Sequence, residues 1–399
     1  MEKTDQRWGS IDAFRSVTML LMLFVNDSAE MTGVPDWLRH ATVEEDMMGF
    51  SDLVFPAFLF CVGLSIPLAV RTRYRKGDSH LQVIGHIVLR TIALLVMGVF
   101  SMNLKGVEGG LSGGFFTLIA VAAYFLLWNV YPRREGREPV WAKVLKVLGA
   151  IILIGLVIYK DCNGMPFKVR WWGILGLIGW SYLACSLAYI FSRGKLRLVQ
   201  WFWAVSIVLC ILNKASFIPE DFSCRAVILG FYPGGWTHVA LTASGMLASS
   251  LLLRHNEAKA DGGNAESRKF IVTMVVLGAA MLVAGAVSHR FWIISKIQAT
   301  PTWLFYCTAI YFPLFALLYW IADVRGKTAW ARPISPAGTA TLTCYTLPYI
   351  LNALHRITGF HYPALLTDGA LGLTKAFVYS MVVILLTWAL GKCRIKLKI

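Results

Sequence analysis

The stretch WLRHATVEEDMMGFSDLVFPAFLFCVG, residues 37–63, puts His40 in a polar loop and Asp52 just inside the apolar run that follows. An imidazole with an ordinary pKa near 6.5 is the natural general base around neutral pH. A carboxylate at the edge of an apolar run is costly unless hydrogen-bonded, and orienting an imidazole is one way of satisfying it. The plainer readings are a surface histidine and a structural acid that holds the start of a helix. Three consecutive acids, Glu44, Glu45 and Asp46, lie between the two.

Other polar groups also sit where an apolar environment makes them expensive. Asp12 and Arg15, in SIDAFRSVTML, share a helical face. They form an anchoring ion pair, or else Arg15 meets a phosphate-bearing ligand. Asn26, in FVNDSAE, is a helix cap or a carboxamide that offers an N–H to a developing oxyanion. His86 and Arg90 stand at i and i+4 in one apolar run, which directs Arg90 toward an anion or a carbonyl. Arg170, in KVRWWGILGLIGW, and Lys296, in IISKIQATPTW, flank run ends and read first as snorkelling anchors. Asp323, in YWIADVRGK, has Arg325 as its local partner. Zinc spacings, phosphate-cradling glycine loops and a GxSxG elbow do not occur, so no metal is expected.

The elements that must carry these groups are membrane helices. Of the 399 residues 57% are hydrophobic and only 15% charged, with a mean hydropathy of +0.61, whereas soluble proteins carry about 25% charged residues. Runs of about 17 to 25 apolar residues, long enough to cross a hydrocarbon core of roughly 30 Å, recur at 11–29, 50–70, 81–101, 114–131, 143–159, 171–191, 198–213, 235–253, 270–288, 302–322, 337–354 and 372–391. The first holds Asp12 and Arg15 at its mouth and lacks a small-residue cleavage site, so it reads as a span and not as a signal peptide.

The net charge of +16 is a topology signal, not a nucleic-acid surface. Taken alternately, the loop set that includes both termini carries 25 of the 38 Lys and Arg, and the opposite set 10. The positive-inside rule then puts both termini in the cytoplasm and His40 and Asn26 on the far face. The expected fold is therefore all-α: a polytopic integral membrane helix bundle of about twelve transmembrane helices, forming a single transmembrane domain over 1–399. The polar linker RHNEAKADGGNAESRK, 254–269, reads as flexible. Of the eight cysteines, Cys162 and Cys224 fall in outward loops where they are placed to pair.

SIDAFRSVTMLLMLFVN, then LRHA, then SDLVFPAFLFCVGLSI resembles the N-terminal signature of the heparan-α-glucosaminide N-acetyltransferase-like family of transmembrane acyltransferases, in its bacterial branch. That pattern runs D-x-F-R-G, V-N, a loop with H-A, and D-L-V-F-P-x-F-x-F-x-x-G; Asp12, Phe14, Arg15, Asn26, His40, Ala41, Asp52, Pro56, Phe58, Phe60 and Gly63 match it. RWWGILGLIGWSYL, and ISKIQATPTW followed by LLYWIADVRG, resemble later family segments more loosely. Ser16 replaces a glycine of the pattern, ILGLIG lacks its Gln-Arg pair, and Ser295 stands where the family has an asparagine before Lys296. A helix pair over roughly 114–159 is extra relative to the mammalian enzyme.

The resemblance implies an enzyme that takes an acetyl group from acetyl-CoA on the cytoplasmic side and delivers it to an amino sugar on the far side. Its active-site histidine falls on His40 and its asparagine on Asn26. On that reading His40 is the general base, Asn26 stabilises the oxyanion and Asp52 holds the imidazole. Arg15, Asp12, Arg90, Arg71 and Arg73 contact the coenzyme, Arg170 and Lys296 support the substrate, and Glu44, Glu45 and Asp46 favour cationic acceptors. Direct transfer is preferred to an acetyl-His40 intermediate. The partners are acetyl-CoA, an extracytoplasmic amino sugar or glycan and the lipid bilayer, with no nucleic acid; a homodimer is left open. The location implied is a bacterial inner membrane, multi-pass. Two other readings stand: O-acetylation of an envelope glycan, and a proton-coupled secondary transporter using His86, Arg90 and Asp52, which no internal repeat supports.

Overall fold

The computed structural model describes residues 8–107, 110–132, 138–171, 173–215 and 235–399, apart from the side chains of 259–264. The first half of the chain forms α1 (Gly9–Ser28), α2 (Phe50–Arg75), α3 (His80–Ser101), α4 (Gly113–Trp128), α5 (Val140–Cys162) and α6 (Ile174–Phe191). It continues with α7 (Leu196–Lys214), α8 (Trp236–Ser288), α9 (Pro301–Tyr319), the short α10 (Ser335–Thr339), α11 (Thr341–Thr358) and α12 (Gly369–Lys392).

Among the described residues nine helical segments, not twelve, are long and apolar enough to cross a membrane. The runs at 11–29, 114–131 and 337–354 form helices that fall short. α1 carries Asp12, Arg15 and Asp27, α4 has only 16 residues, and α11 ends on His355 and Arg356. α8 supplies two of the nine segments, Trp236–Ala258 and Ala265–Ser288. His255 Nδ1 lies 2.9 Å from Glu266 Oε2, and the His255 and Phe270 rings are 6.0 Å apart. Eleven residues of straight helix would separate His255 from Glu266 by ~16 Å, so the two segments fold back on each other. The 254–269 linker is thus helical on both sides of the reversal, and Glu266 pins it by accepting from His255 and, at 2.5 Å, from Lys269.

The described residues group into two compact units. The first takes the chain up to Thr18, Pro35–Leu95 and Ile174–Arg332; the second takes Met19–Val34, Val96–Gly173 and Pro333–Ile399.

In the first unit α2 packs on α8, and α8 on α9. Lipid is as apolar as a helix interface, so close van der Waals fit holds such helices together. Gly63 and Gly245 provide it: a Cβ on Gly63 would overlap the Thr242 carbonyl oxygen, and one on Gly245 the Phe60 carbonyl oxygen. Phe60, fully buried, has ring neighbours at Phe14 (5.6 Å), Tyr311 (5.7 Å) and Phe312 (5.6 Å). Asp323 does not turn to Arg325. A π-helical turn over Trp320–Val324 directs its carboxylate to the start of α1, where it accepts from Gly9 N (2.8 Å) and Ser10 N (3.2 Å). The unsatisfied N–H groups of a helix N-terminus outcompete a guanidinium that has another partner, and Arg325 lies 4.8 Å over the Trp320 ring.

In the second unit α4 packs on α5 and α11, and α11 on α12. Lys375 on α12 pairs with Asp27 of α1 at 2.8 Å. The C-terminal segment is tied to the end of α4 by Lys396 N to Asn129 Oδ1 (2.8 Å) and Lys398 N to the Trp128 carbonyl (3.0 Å). Cys162 is exposed, and Cys224 lies outside the described residues.

Candidate active site

The loop before α2 doubles back over the first turn of that helix. Phe50 N donates to the Trp37 carbonyl (2.7 Å), Ser51 N to the Leu38 carbonyl (3.3 Å), and the Ser51 hydroxyl to the same carbonyl. Gly49 permits the crossing, because a Cβ there would overlap the Arg39 carbonyl oxygen. The fold-back brings Ala41 N to 3.0 Å from Asp52 Oδ2, which also accepts from Gly49 N at 3.3 Å. Asp52 Oδ1 then faces His40 Nδ1 at 2.7 Å. The two oxygens divide the two sequence readings between them: Oδ2 caps the helix and the loop, and Oδ1 holds the imidazole. With Asp52 side chain 3% exposed and His40 36%, the carboxylate is inside and the ring opens outward.

Lys296 completes the cluster from the loop between α8 and α9. Its Nζ lies 3.1 Å from His40 Nδ1 and 3.4 Å from Asp52 Oδ1. Burial pushes the ammonium below its ordinary pKa, and the Asp52 carboxylate opposes that shift. The short Nδ1 to Oδ1 contact assigns the ring proton to Nδ1, donated to the carboxylate, and leaves Nε2 with a lone pair. The loop is built to hold Lys296 there. Ser295 N donates to Thr300 Oγ1 (3.1 Å), Thr237 Oγ1 to the Ala299 carbonyl (2.7 Å), and Ala299 sits at a left-handed φ of 51°. Beneath the cluster, Trp303 Nε1 donates to the Asp52 carbonyl (3.3 Å) and the Tyr311 hydroxyl to the Leu53 carbonyl. The buried His238 ring lies 5.7 Å from Phe55 and 6.3 Å from Trp303.

Two of the three loop acids serve the protein itself. Glu45 takes a two-point contact from Arg39 (2.7 and 2.9 Å) and one from Thr42 N (2.8 Å), while Asp46 accepts from His289 and Ile294 N. Only Glu44 is left as an exposed acid that these bonds do not use, which withdraws most of the expected bias toward cationic acceptors.

The Arg39 hydrogen bonds hold the Glu45 carboxyl at about 2, against an ordinary 4.5. A carboxylate depressed in the folded state stabilises above its ordinary pKa and loses that contribution as pH falls through the folded value. Hydrogen-exchange protection of the Thr42 amide is therefore expected to be full at pH 5–6 and to decline from about pH 4.5 toward 2. Glu45→Ala should remove that protection at every pH.

Asp12, Arg15, Arg71 and Arg73, also in the first unit, lie toward the C-terminal end of α2, away from His40. Arg15 donates to Ser65 Oγ (2.7 Å) and lies 3.7 Å from Asp12. Thirteen residues of α2 put Ser65 ~20 Å along the helix from Asp52. Farther along, Arg71 pairs with Glu257 (2.6 Å) and Arg73 with Asp78 (2.9 Å). Arg90 lies 4.7 Å over the Tyr182 ring, and its buried Nε has no hydrogen bond among the described residues. Asn26 and Arg170 belong to the second unit, where both are exposed. Trp303, Tyr311 and His238 were not legible as site residues, since aromatic and histidine positions in an apolar run look alike whether they face lipid or a site.

A family model described as "Domain of unknown function (DUF5009)" matches residues 7–237, a span that includes His40 and Asp52. The chain is 34% identical over 355 residues to the heparan-alpha-glucosaminide N-acetyltransferase of Mus musculus, covering 79% of this chain and 49% of the relative. It is 33% identical over 106 residues to the enzyme of the same name from Homo sapiens, covering 27% of this chain and 15% of that one. The chain thus spans about half the length, or less, of the curated relatives it matches.

Proposed function

From the premise that this chain belongs to the DUF5009 family and is a relative of the heparan-alpha-glucosaminide N-acetyltransferases, we propose that it is a transmembrane acetyltransferase. It moves the acetyl group of cytoplasmic acetyl-CoA to the amine of an amino sugar on the opposite face, with His40 as general base. The observation that carries this reading is the Asp52 carboxylate on His40 Nδ1, which leaves Nε2 free to take a proton.

The acceptor amine attacks the thioester carbonyl as His40 Nε2 accepts its proton. Asp52 stabilises the imidazolium that forms. The carbon–sulfur bond then breaks, and His40 returns the proton to the leaving thiolate, giving an amide and free coenzyme A. Lys296, beside both groups, keeps the Asp52 carboxylate ionised and aimed. The residues away from His40 include cations that suit a polyanion: Arg15, which donates to Ser65 and faces Asp12, and Arg90, whose buried Nε has no hydrogen bond among the described residues. Arg71 and Arg73, already paired with acids, would exchange those partners for phosphate.

The test is thiol release from acetyl-CoA by the purified protein. A free amino sugar should drive release and yield the N-acetyl product, whereas the N-blocked sugar should not. Release driven equally by the N-blocked sugar would instead identify a hydroxyl acceptor.

A further inference from the structure

The loop that carries Lys296 is fastened to the loop that carries His40 at two points, one on each side of the lysine. Before it, Ile294 N donates to Asp46 Oδ1 at 2.7 Å. After it, Gln298 Nε2 donates to the Val43 carbonyl at 2.9 Å. Asp46 adds a contact to His289 Nε2, at 2.8 and 3.0 Å from its two oxygens, where His289 ends α8. These residues are distant in sequence, the loop contacts joining positions about 250 apart. Little else in the bonding of His40 depends on this contact, because Asp52, Ala41 and Gly49 hold the histidine loop from its own side.

We propose that Asp46 is a positioning residue: its carboxylate latches the 289–300 loop to the 41–49 loop and so fixes Lys296 against His40 and Asp52. The inference rests on the acyltransfer reading for its catalytic consequence, but the latch itself has a readout apart from turnover. A carboxylate that is 43% exposed owes little to burial, yet its pKa is held below the usual carboxylate range, chiefly by the Ile294 N–H. Without Asp46 the hydrogen bond that remains between the 289–300 loop and the 41–49 loop, among the described residues, is the Gln298 tether, and a displacement of about 1 Å at a catalytic group is enough to cost roughly 100-fold in rate.

The experiment compares the parent, Asp46→Ala, Asp46→Asn and Glu44→Gln in lipid nanodiscs. The readouts are kcat and acceptor KM, hydrogen exchange at the Ile294 amide, and the rate at which diethylpyrocarbonate modifies His40, located by peptide mass spectrometry. Asp46→Ala is expected to lower kcat by about 10- to 100-fold with acceptor KM changed by less than about threefold. It should also expose the Ile294 amide and change the His40 modification rate. Asp46→Asn, whose carbonyl still accepts from Ile294 N, should recover most of kcat, and Glu44→Gln should leave Ile294 exchange and the His40 modification rate at parental values. Parental kcat and parental His40 reactivity in an Asp46→Ala protein whose Ile294 amide exchanges freely would overturn the proposal. If Asp46→Ala does not reach a monodisperse state, His289→Ala replaces it: a smaller fall in kcat supports the latch, and parental kcat with parental His40 reactivity overturns it. A parent that acetylates no amine defeats the acyltransfer reading, and the Ile294 and His40 measurements still decide the latch.

Discussion

His40→Ala is expected to lower acetyl transfer by about 10²- to 10⁴-fold, with the melting-temperature shift on adding acetyl-CoA the same in variant and parent. General-base catalysis contributes about 10²- to 10⁴-fold, and among the described residues no second imidazole contacts the Asp52 carboxylate to replace it. Donor binding should persist because Arg15 lies ~20 Å along α2 from the start of that helix, and the His40 loop is held by other bonds. Truncating the ring removes one partner from Asp52 Oδ1 but leaves Lys296 within 3.4 Å and both backbone donors on Oδ2. The buried carboxylate therefore stays compensated and the fold survives. Equilibrium binding of acetyl-CoA beside a turnover assay separates this outcome from unfolding, which would lose both.

Gly63→Ala and Gly245→Ala each destabilise the protein severely, at or beyond the upper end of the ~1–3 kcal/mol that overpacking typically costs. A side chain that meets another side chain can change rotamer. Here the added methyl meets backbone: the Thr242 carbonyl and Met246 N for Gly63, and the Phe60 carbonyl and Leu64 N for Gly245. Only separation of α2 from α8 relieves the overlap. Because α2 begins at the Asp52 cap and α8 is followed by the Lys296 loop, that separation also disturbs the His40 cluster. Gly155→Ala on α5, where an added Cβ meets nothing within 4 Å, should hold the parental melting temperature or exceed it. A Gly63→Ala protein that melts with the parent would show the α2–α8 contact to be looser than described.

His40 and Asp52 were legible in the sequence because the chemistry is local: a loop short enough to fold back on its own helix start carries both. The same locality made the apolar runs readable, and nine of the twelve correspond to segments able to span a membrane. What stayed hidden depends on distant pairing. Lys296 reaches His40 across 256 positions, and no pattern at the lysine separates that from snorkelling. Asp323 went to the α1 N-terminus instead of to Arg325 because a π-helical turn redirected it, and a single-residue change of helical register has no signature in hydropathy. In sequence Glu45 and Asp46 read, with Glu44, as acids favouring cationic acceptors; only the folded loop shows that one clasps Arg39 and the other the 289–300 loop. Of the other three runs, α4 has only 16 residues, whereas α1 and α11, with 20 and 18, are long enough but carry more polar and charged side chains, so the count of twelve spans is not confirmed among the described residues.

Transfer of an acetyl group from one face of the membrane to the other is tested with donor and acceptor on opposite sides. Purified protein is reconstituted into vesicles with glucosamine trapped inside, and acetyl-labelled acetyl-CoA is supplied only outside. Labelled N-acetylglucosamine is expected inside, with an equal amount of free coenzyme A outside, and neither with His40→Ala. Labelled product that forms only when donor and acceptor share one compartment, or glucosamine movement with no thiol released, would contradict it.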